Sequence, residues 1–169
     1  MDPSYFFTPE GEDFEWFYAQ HNVSILDNGD IALFDNGTAK VKRVDGDNRV
    51  SGDNVYSRAV VYQIDTENMT VSQVTEYGKE RGADWYSDWI SGVVSLDGTQ
   101  DHLWITAGSH LHSDEENRSD YYPKDMFVQG LTKTTHIDQV DNGELSFELT
   151  ISGDTYNALT YRSFRMPLY

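Results

Sequence analysis

A recurring turn is the feature that most constrains what this chain can fold into. At residues 27–30 the run Asp-Asn-Gly-Asp separates two short apolar stretches, 23–26 and 31–34, and a second stop follows at Asp35-Asn36-Gly37. Asn-Gly between apolar stretches is a hairpin signal, because both residues accept the positive φ that a tight turn demands. Further turn centres fall near Thr66, Thr99 and Asn142, and the runs around them read as antiparallel hairpins: 55–64 with 70–77, 90–96 with 102–107, and 134–140 with 145–151. In the first of these, Val60, Tyr62 and Ile64 point one way and Ala59, Val61 and Gln63 the other, the period of a strand. Residues 14–18 and 158–165 read as two more strands. Residues 1–13, broken by Pro3, Pro9 and Gly11, read as an irregular lead-in, and 38–54 and 109–124 as polar loops. No segment sustains a 3.6-residue period, so the expected class is all-β.

The turn centres recur at roughly 35 to 45 residues, the length of a four-stranded propeller blade. The strands make up about two such blades, whereas ring closure takes about four or more. A partial ring leaves strand edges and blade faces uncovered. On size alone, a self-contained sandwich or small barrel competes with this architecture.

Composition narrows the function. With 12 Lys and Arg against 29 Asp and Glu, the net charge of −17 argues against nucleic acid or anionic membranes as partners. There is no cysteine, hence no thiolate chemistry. No window is long and apolar enough for membrane insertion, and residues 1–16 lack the basic and apolar regions of a secretory leader. The chain is therefore either cytoplasmic or an internal piece of an exported protein. At 169 residues it is long enough for one domain with a real core, and 14% aromatic content in strand-like runs fits a β protein.

Four stretches in order bring a family into view. They are Gln20-His21 with the hairpin ending Phe34-Asp35-Asn36-Gly37; Tyr56-Ser57-Arg58 with Val61-Tyr62-Gln63-Ile64-Asp65; Glu76-Tyr77-Gly78-Lys79-Glu80-Arg81-Gly82; and Tyr86-Ser87. Together they resemble the C-terminal part of bacterial aryl-sulfate sulfotransferases, from about Phe14 to the end of the chain. The resemblance implies a partial β-propeller over residues 14–169, two antiparallel four-stranded blades of a six-bladed ring with its active site at the central channel. It also implies an exported homodimer, periplasmic or extracellular, that needs no cofactor or nucleotide sulfate. Such an enzyme moves a sulfuryl group from a phenolic sulfate donor to a phenol acceptor through a sulfohistidine. His21 matches the histidine that carries the group. The family's further histidines and arginine belong to earlier blades, upstream of Met1, so the chain alone is expected to be inactive. Where relatives can carry a threonine after the Tyr-Ser pair, this chain has Ile90 and Ser91.

The chemistry is consistent with such a role. A neutral imidazole attacks without first losing a proton and leaves readily afterwards, and its reference pKa of about 6.5 keeps it mostly neutral at pH 7 to 8. The ordinary alternative for His21 is a strand-end histidine bonded to a carbonyl. Arg58 has the donor fork to hold sulfate oxygens, although a salt bridge to one of the many carboxylates ranks first. Tyr86 and Ser91 are the other candidate substrate contacts. The aromatic residues Trp16, Phe17, Tyr18, Trp85, Tyr86 and Trp89 either wall an aryl cleft or, more commonly in β proteins, pack between sheets. Lys79 and Arg81 read as ion-paired turn residues. His110 and His112 share strand spacing with some metal sites, and Asp45, Asp47 and Asp53 suggest calcium, but neither set completes a ligand pattern and no metal is expected. Asn22, Asn36, Asn68 and Asn117 begin Asn-X-Ser/Thr sequons, and a glycan on Asn36 would crowd the hairpin end. The alternative function is a non-catalytic binding module for glycans or protein partners.

Overall fold

The computed structural model describes residues 5–38, 56–112, 132–153 and 158–167. Within them the chain is all-β, as expected. Its strands are β1 (Thr8–Glu10), β2 (Gln20–Ile25), β3 (Ile31–Asp35), β4 (Arg58–Asp65), β5 (Thr70–Tyr77), β6 (Gly92–Ser95), β7 (His102–His112), β8 (Thr132–Asp141) and β9 (Glu144–Ile151). A five-stranded sheet has the order β1-β5-β4-β3-β2 and a four-stranded sheet the order β6-β7-β8-β9. Every pairing is antiparallel between sequence neighbours except β1, which runs parallel to β5. Each sheet is thus an up-and-down meander, with β1 added in parallel at the edge of the five-stranded one.

The expected hairpins all form. At the first turn Gly29 takes φ +92°, which its lack of a Cβ permits, and the Asp30 amide donates to Asn28 Oδ1 at 3.0 Å. Four local expectations give way, one being the loop read over 109–124, whose residues 109–112 continue β7 with Ser109 and His110 buried. The lead-in contains β1, because residues 8–10 find the free edge of β5. Residues 14–18 and 158–165 are irregular rather than strands. They lie across sheet faces, held by side chains and single backbone bonds instead of ladders. Strand β6 begins at Gly92, since Ile90 and Ser91 have φ of +52° and +89°, outside any strand conformation.

The resulting layers follow from the period-two alternation. Between the sheets lies one core of Leu26, Ala32, Phe34, Ala59, Val61, Tyr77, Trp85, Val93, Leu103, Ile105, Ala107 and Val140. The opposite face of the five-stranded sheet buries Leu33, Val60, Tyr62 and Val71 under Phe7, Phe14 and Phe17 of the lead-in. The opposite face of the four-stranded sheet is crossed by the C-terminal segment. There Ser163 Oγ accepts from Trp104 Nε1 at 2.8 Å, the Thr160 amide donates to Gly108 O at 3.0 Å, and Arg165 donates to Gln139 at 2.7 Å. Beyond this strap, β9 leaves Phe147 45% and Leu149 43% exposed.

Trp85 is the keystone of the inner core. A 3-10 segment, Lys79–Trp85, kinked at Gly82, carries it from β5 into the space between the sheets, where it is fully buried. Its ring lies 5.5 Å from those of Phe34 and Tyr77, edge-on to the latter. A Cβ on Gly78 would stand 2.3 Å from that ring, so this close approach requires glycine. Trp85→Ala is expected to lower unfolding free energy by about 3 to 5 kcal/mol in chemical denaturation.

Two cationic residues join the layers. Arg58, fully buried, donates from Nε to Asp35 Oδ2 at 3.2 Å, from Nη1 to Glu76 and Gln73, and from Nη2 to Glu15 O at 2.8 Å. Arg81 reaches across the sheets to Asp138 Oδ2 at 2.8 Å and Glu148 Oε1 at 2.5 Å. Asp138 also accepts from Tyr77 Oη at 3.1 Å. Burial pushes its carboxyl up to about 6, against the opposing pull of the Arg81 charge. The raised folded value means that the native state holds a proton the unfolded chain releases near pH 4. The associated stabilisation is full below about pH 4 and is lost as pH rises through about 6, amounting to about 3 kcal/mol for a shift of this size. Denaturant titrations from pH 4 to 7 should show this slope in the native protein and its loss in Asp138→Asn.

Candidate active site

His21 lies on β2 opposite Phe34 of β3, on the side of the five-stranded sheet that faces the other sheet. Two residues past Phe34, on the same face, comes Asn36. The period of two places its side chain diagonally beside the imidazole. His21 Nδ1 is 2.6 Å from Asn36 Oδ1, and the ring is half-buried. Nε2 has no hydrogen-bond partner among the described residues.

Asp35 holds this strand end together. Its Oδ1 accepts the amides of Tyr18 at 2.7 Å and Gly37 at 3.0 Å, while Oδ2 takes Arg58. The Gly37 amide also donates to Tyr18 O at 2.9 Å, and a Cβ on Gly37 would meet Tyr56 O at 2.3 Å. The segment leading to His21 is therefore pinned to the end of β3.

Asn36, fully buried, connects the two sheets. Its Nδ2 donates to Ser87 O at 2.7 Å and Ile90 O at 3.0 Å. Those carbonyls sit in a buried hydroxyl network. The Ser87 amide donates to Ser57 Oγ at 2.9 Å, and Ser87 Oγ lies 2.8 Å from Ser91 Oγ. Ser91 Oγ accepts the Gly108 amide at 3.0 Å, Ser87 Oγ accepts the Ser109 amide at 2.9 Å, and Ser109 Oγ donates to Asp88 at 2.6 Å.

Backbone strain gathers at the same place. Of the six non-glycine residues with positive φ among those described, Ala19 and Asn22 flank His21, while Ile90 and Ser91 carry or adjoin a carbonyl that holds Asn36. For a β-branched residue such as Ile90 this conformation is an outlier, and such strain persists only where surrounding structure enforces it. Asn22 interrupts the ladder with a bulge and donates to Val93 O at 2.8 Å, stitching β2 to β6.

The sequence-predicted residues divide accordingly. His21 is bonded to Asn36 through Nδ1 and is half-buried. Arg58 stands behind Asp35, with its donors committed to carboxylates and carbonyls, the salt-bridging role ranked first. Ser91 is buried in the hydroxyl network and serves backbone amides. Tyr86 is buried, which pushes its phenol up, and its carbonyl lies 2.8 Å from His110 Nδ1. Trp85 is core, while Trp16 and Phe17 pack around Tyr62 on the far face of the five-stranded sheet. No group of three or more His, Asp and Glu side chains able to hold a metal occurs among the described residues. The calcium-like run at Asp45, Asp47 and Asp53, and Asn117, lie outside them. Asn36, the residue that organises the site, was read from the sequence only as a turn residue and sequon. Its place two residues after the partner of His21 was the available signal.

Residues 2–162 match the arylsulfotransferase (ASST) family. The chain is similar to Arylsulfate sulfotransferase AssT of Escherichia coli O6:H1 (strain CFT073), at 34% identity over 156 residues, covering 91% of this chain and 23% of that protein. It is similar to Arylsulfate sulfotransferase AssT of Lelliottia amnigena at 29% identity with the same coverage. The chain thus spans 23% of the length of these curated relatives. Replacing Ser87 Oγ and Ser91 Oγ together by alanine leaves the Gly108 and Ser109 amides without acceptors. The double variant is expected to lose about 2 to 4 kcal/mol of stability in urea unfolding.

Proposed function

This chain belongs to the arylsulfotransferase family, and from that premise we propose that it forms part of an aryl-sulfate sulfotransferase in which His21 relays the sulfuryl group. In the first half-reaction a ring nitrogen lone pair forms an N–S bond as the S–O bond to the aryl oxygen breaks. The phenolate leaves and takes up a proton from solvent. In the second, the oxygen of an acceptor phenol forms the new O–S bond, the N–S bond breaks with its electrons returning to the imidazole, and the acceptor's proton passes to solvent. No electron transfer and no cofactor enters. The sulfohistidine persists only between the two steps, which makes the kinetics ping-pong.

One observation carries this reading: a half-buried imidazole gripped through one nitrogen, with no hydrogen-bond partner for the other among the described residues, on a segment of enforced backbone strain. A histidine that merely capped a strand would need none of this. The transferring group also needs donors for its equatorial oxygens, as in phosphoryl transfer. In this proposal other parts of a longer protein supply them.

The two meanders then act as neighbouring blades of a propeller. Their leading strands, β2 and β6, are joined by the Asn22–Val93 bond, and closing such blades into a ring would set His21 near its axis. The exposed Phe147 and Leu149 of β9 suit a face that a further blade covers. By family likeness the parent protein is an exported homodimer, periplasmic or extracellular.

The test is direct. The full-length protein should transfer sulfate from 4-nitrophenyl sulfate to phenol with parallel double-reciprocal plots, and His21→Asn should lower turnover by several orders of magnitude. Near-normal turnover of that variant would remove His21 from the relay.

A further inference from the structure

Asn36 is fully buried, and its geometry decides which nitrogen of the His21 ring is available. An amide side chain offers two donors on nitrogen and one acceptor oxygen. Asn36 has two backbone carbonyls, Ser87 O at 2.7 Å and Ile90 O at 3.0 Å, on one side and His21 Nδ1 at 2.6 Å on the other. Carbonyls only accept, so the NH2 group must face them. Flipping the amide would set its oxygen against two carbonyl oxygens inside a buried site, an arrangement that leaves three acceptors without a proton between them. The oxygen therefore faces His21, and the hydrogen bond needs its proton on Nδ1.

We propose that Asn36 is the positioning residue of the relay. By locking His21 as the Nδ1–H tautomer, it places the lone pair on Nε2 and makes that nitrogen the atom that forms the N–S bond. The assignment of the role rests on the relay proposed above; the tautomer itself does not.

The lock has a second consequence. When Nε2 forms its bond to sulfur, positive charge develops on the ring and the Nδ1–H becomes a stronger donor. The bond to Asn36 then becomes charge-assisted and tightens as the reaction proceeds, so it favours the transition state over the free ring. A neutral amide does this without drawing the ring into the unreactive imidazolium form at rest, as a carboxylate in the same place would. The acceptors that orient Asn36 come from the segment entering the four-stranded sheet. The state of a histidine on one sheet is thereby set by backbone carbonyls of the other.

The decisive measurement uses the full-length protein with 15N-labelled histidine. Long-range 1H–15N spectra distinguish the two neutral tautomers, and loss of one signal set in His21→Asn assigns the signals of His21. The native protein at pH 8 is expected to show His21 protonated on Nδ1; a ring protonated on Nε2 overturns the proposal with no variant needed. Asn36→Ala should allow both tautomers and lower kcat by about 10- to 100-fold with little change in KM for the sulfate donor. Asn36→Asp should move the acidic limb of the kcat/KM profile up by about 1 pH unit or more, since a carboxylate favours the imidazolium. Unchanged tautomer and kcat in a folded Asn36→Ala would also overturn it. Failure of the underlying relay looks different: an Nδ1–H ring as expected, with His21→Asn still active.

Discussion

A single buried amide is the point on which the site turns. Asn36 cannot satisfy its NH2 group with water, so it must find carbonyls, and those it finds belong to residues 87 and 90 rather than to its own sheet. Because buried polar groups are costly when unpaired, this bond helps to fix the approach of the two meanders alongside the apolar core. Asp35 does the same for the segment before His21, with two amides and an arginine on its carboxylate. Two adjacent residues at the end of β3 thus determine where the imidazole sits, what it is bonded to, and which other sheet it answers to.

The rest of the architecture makes that arrangement durable. Trp85, two residues before Ser87, whose carbonyl holds Asn36, fills the space between the sheets against Phe34 and Tyr77. The strained residues at 19, 22, 90 and 91 mark where the chain is bent away from ordinary strand geometry to bring these groups together. Strain of this kind is sustained by packing on all sides, and here it has a hydrophobic core beneath and a hydroxyl network beside it. The outer layers serve a different end. The lead-in covers one sheet face with aromatic rings and the C-terminal strap crosses the other with polar contacts, leaving part of β9 to the solvent.

How much of this could be read from the residues depended on the range of the interaction involved. Asn28-Gly29 declared its hairpin because turn geometry is local, and the alternation of Val60, Tyr62 and Ile64 declared a strand because side-chain direction has a period of two. Arg58 as a salt-bridging residue was legible from an excess of carboxylates. The aromatic run 14–18 looked like a strand because aromatic residues favour sheets, yet its rings found a better burial lying over Tyr62 than any ladder offered. Strand β1 was invisible: three residues gain strand character only from an edge more than fifty positions away. Asn36 was hidden for a related reason, since an Asn before a Gly at the end of a strand has the same local signature whether it merely turns or bridges two sheets.

Composition, turn chemistry and the order of short motifs settled by themselves that this is an all-β chain of successive hairpins, and that His21 is the residue to examine, because these depend on neighbours a few positions apart. Only the tertiary structure decided that Trp85 is core, that Ser91 supports backbone amides, and that Asn36 faces two carbonyls and an imidazole at once. Those outcomes require groups some fifteen to fifty-four positions apart to compete for the same buried space, and which partner wins is set by packing and desolvation, not by local sequence.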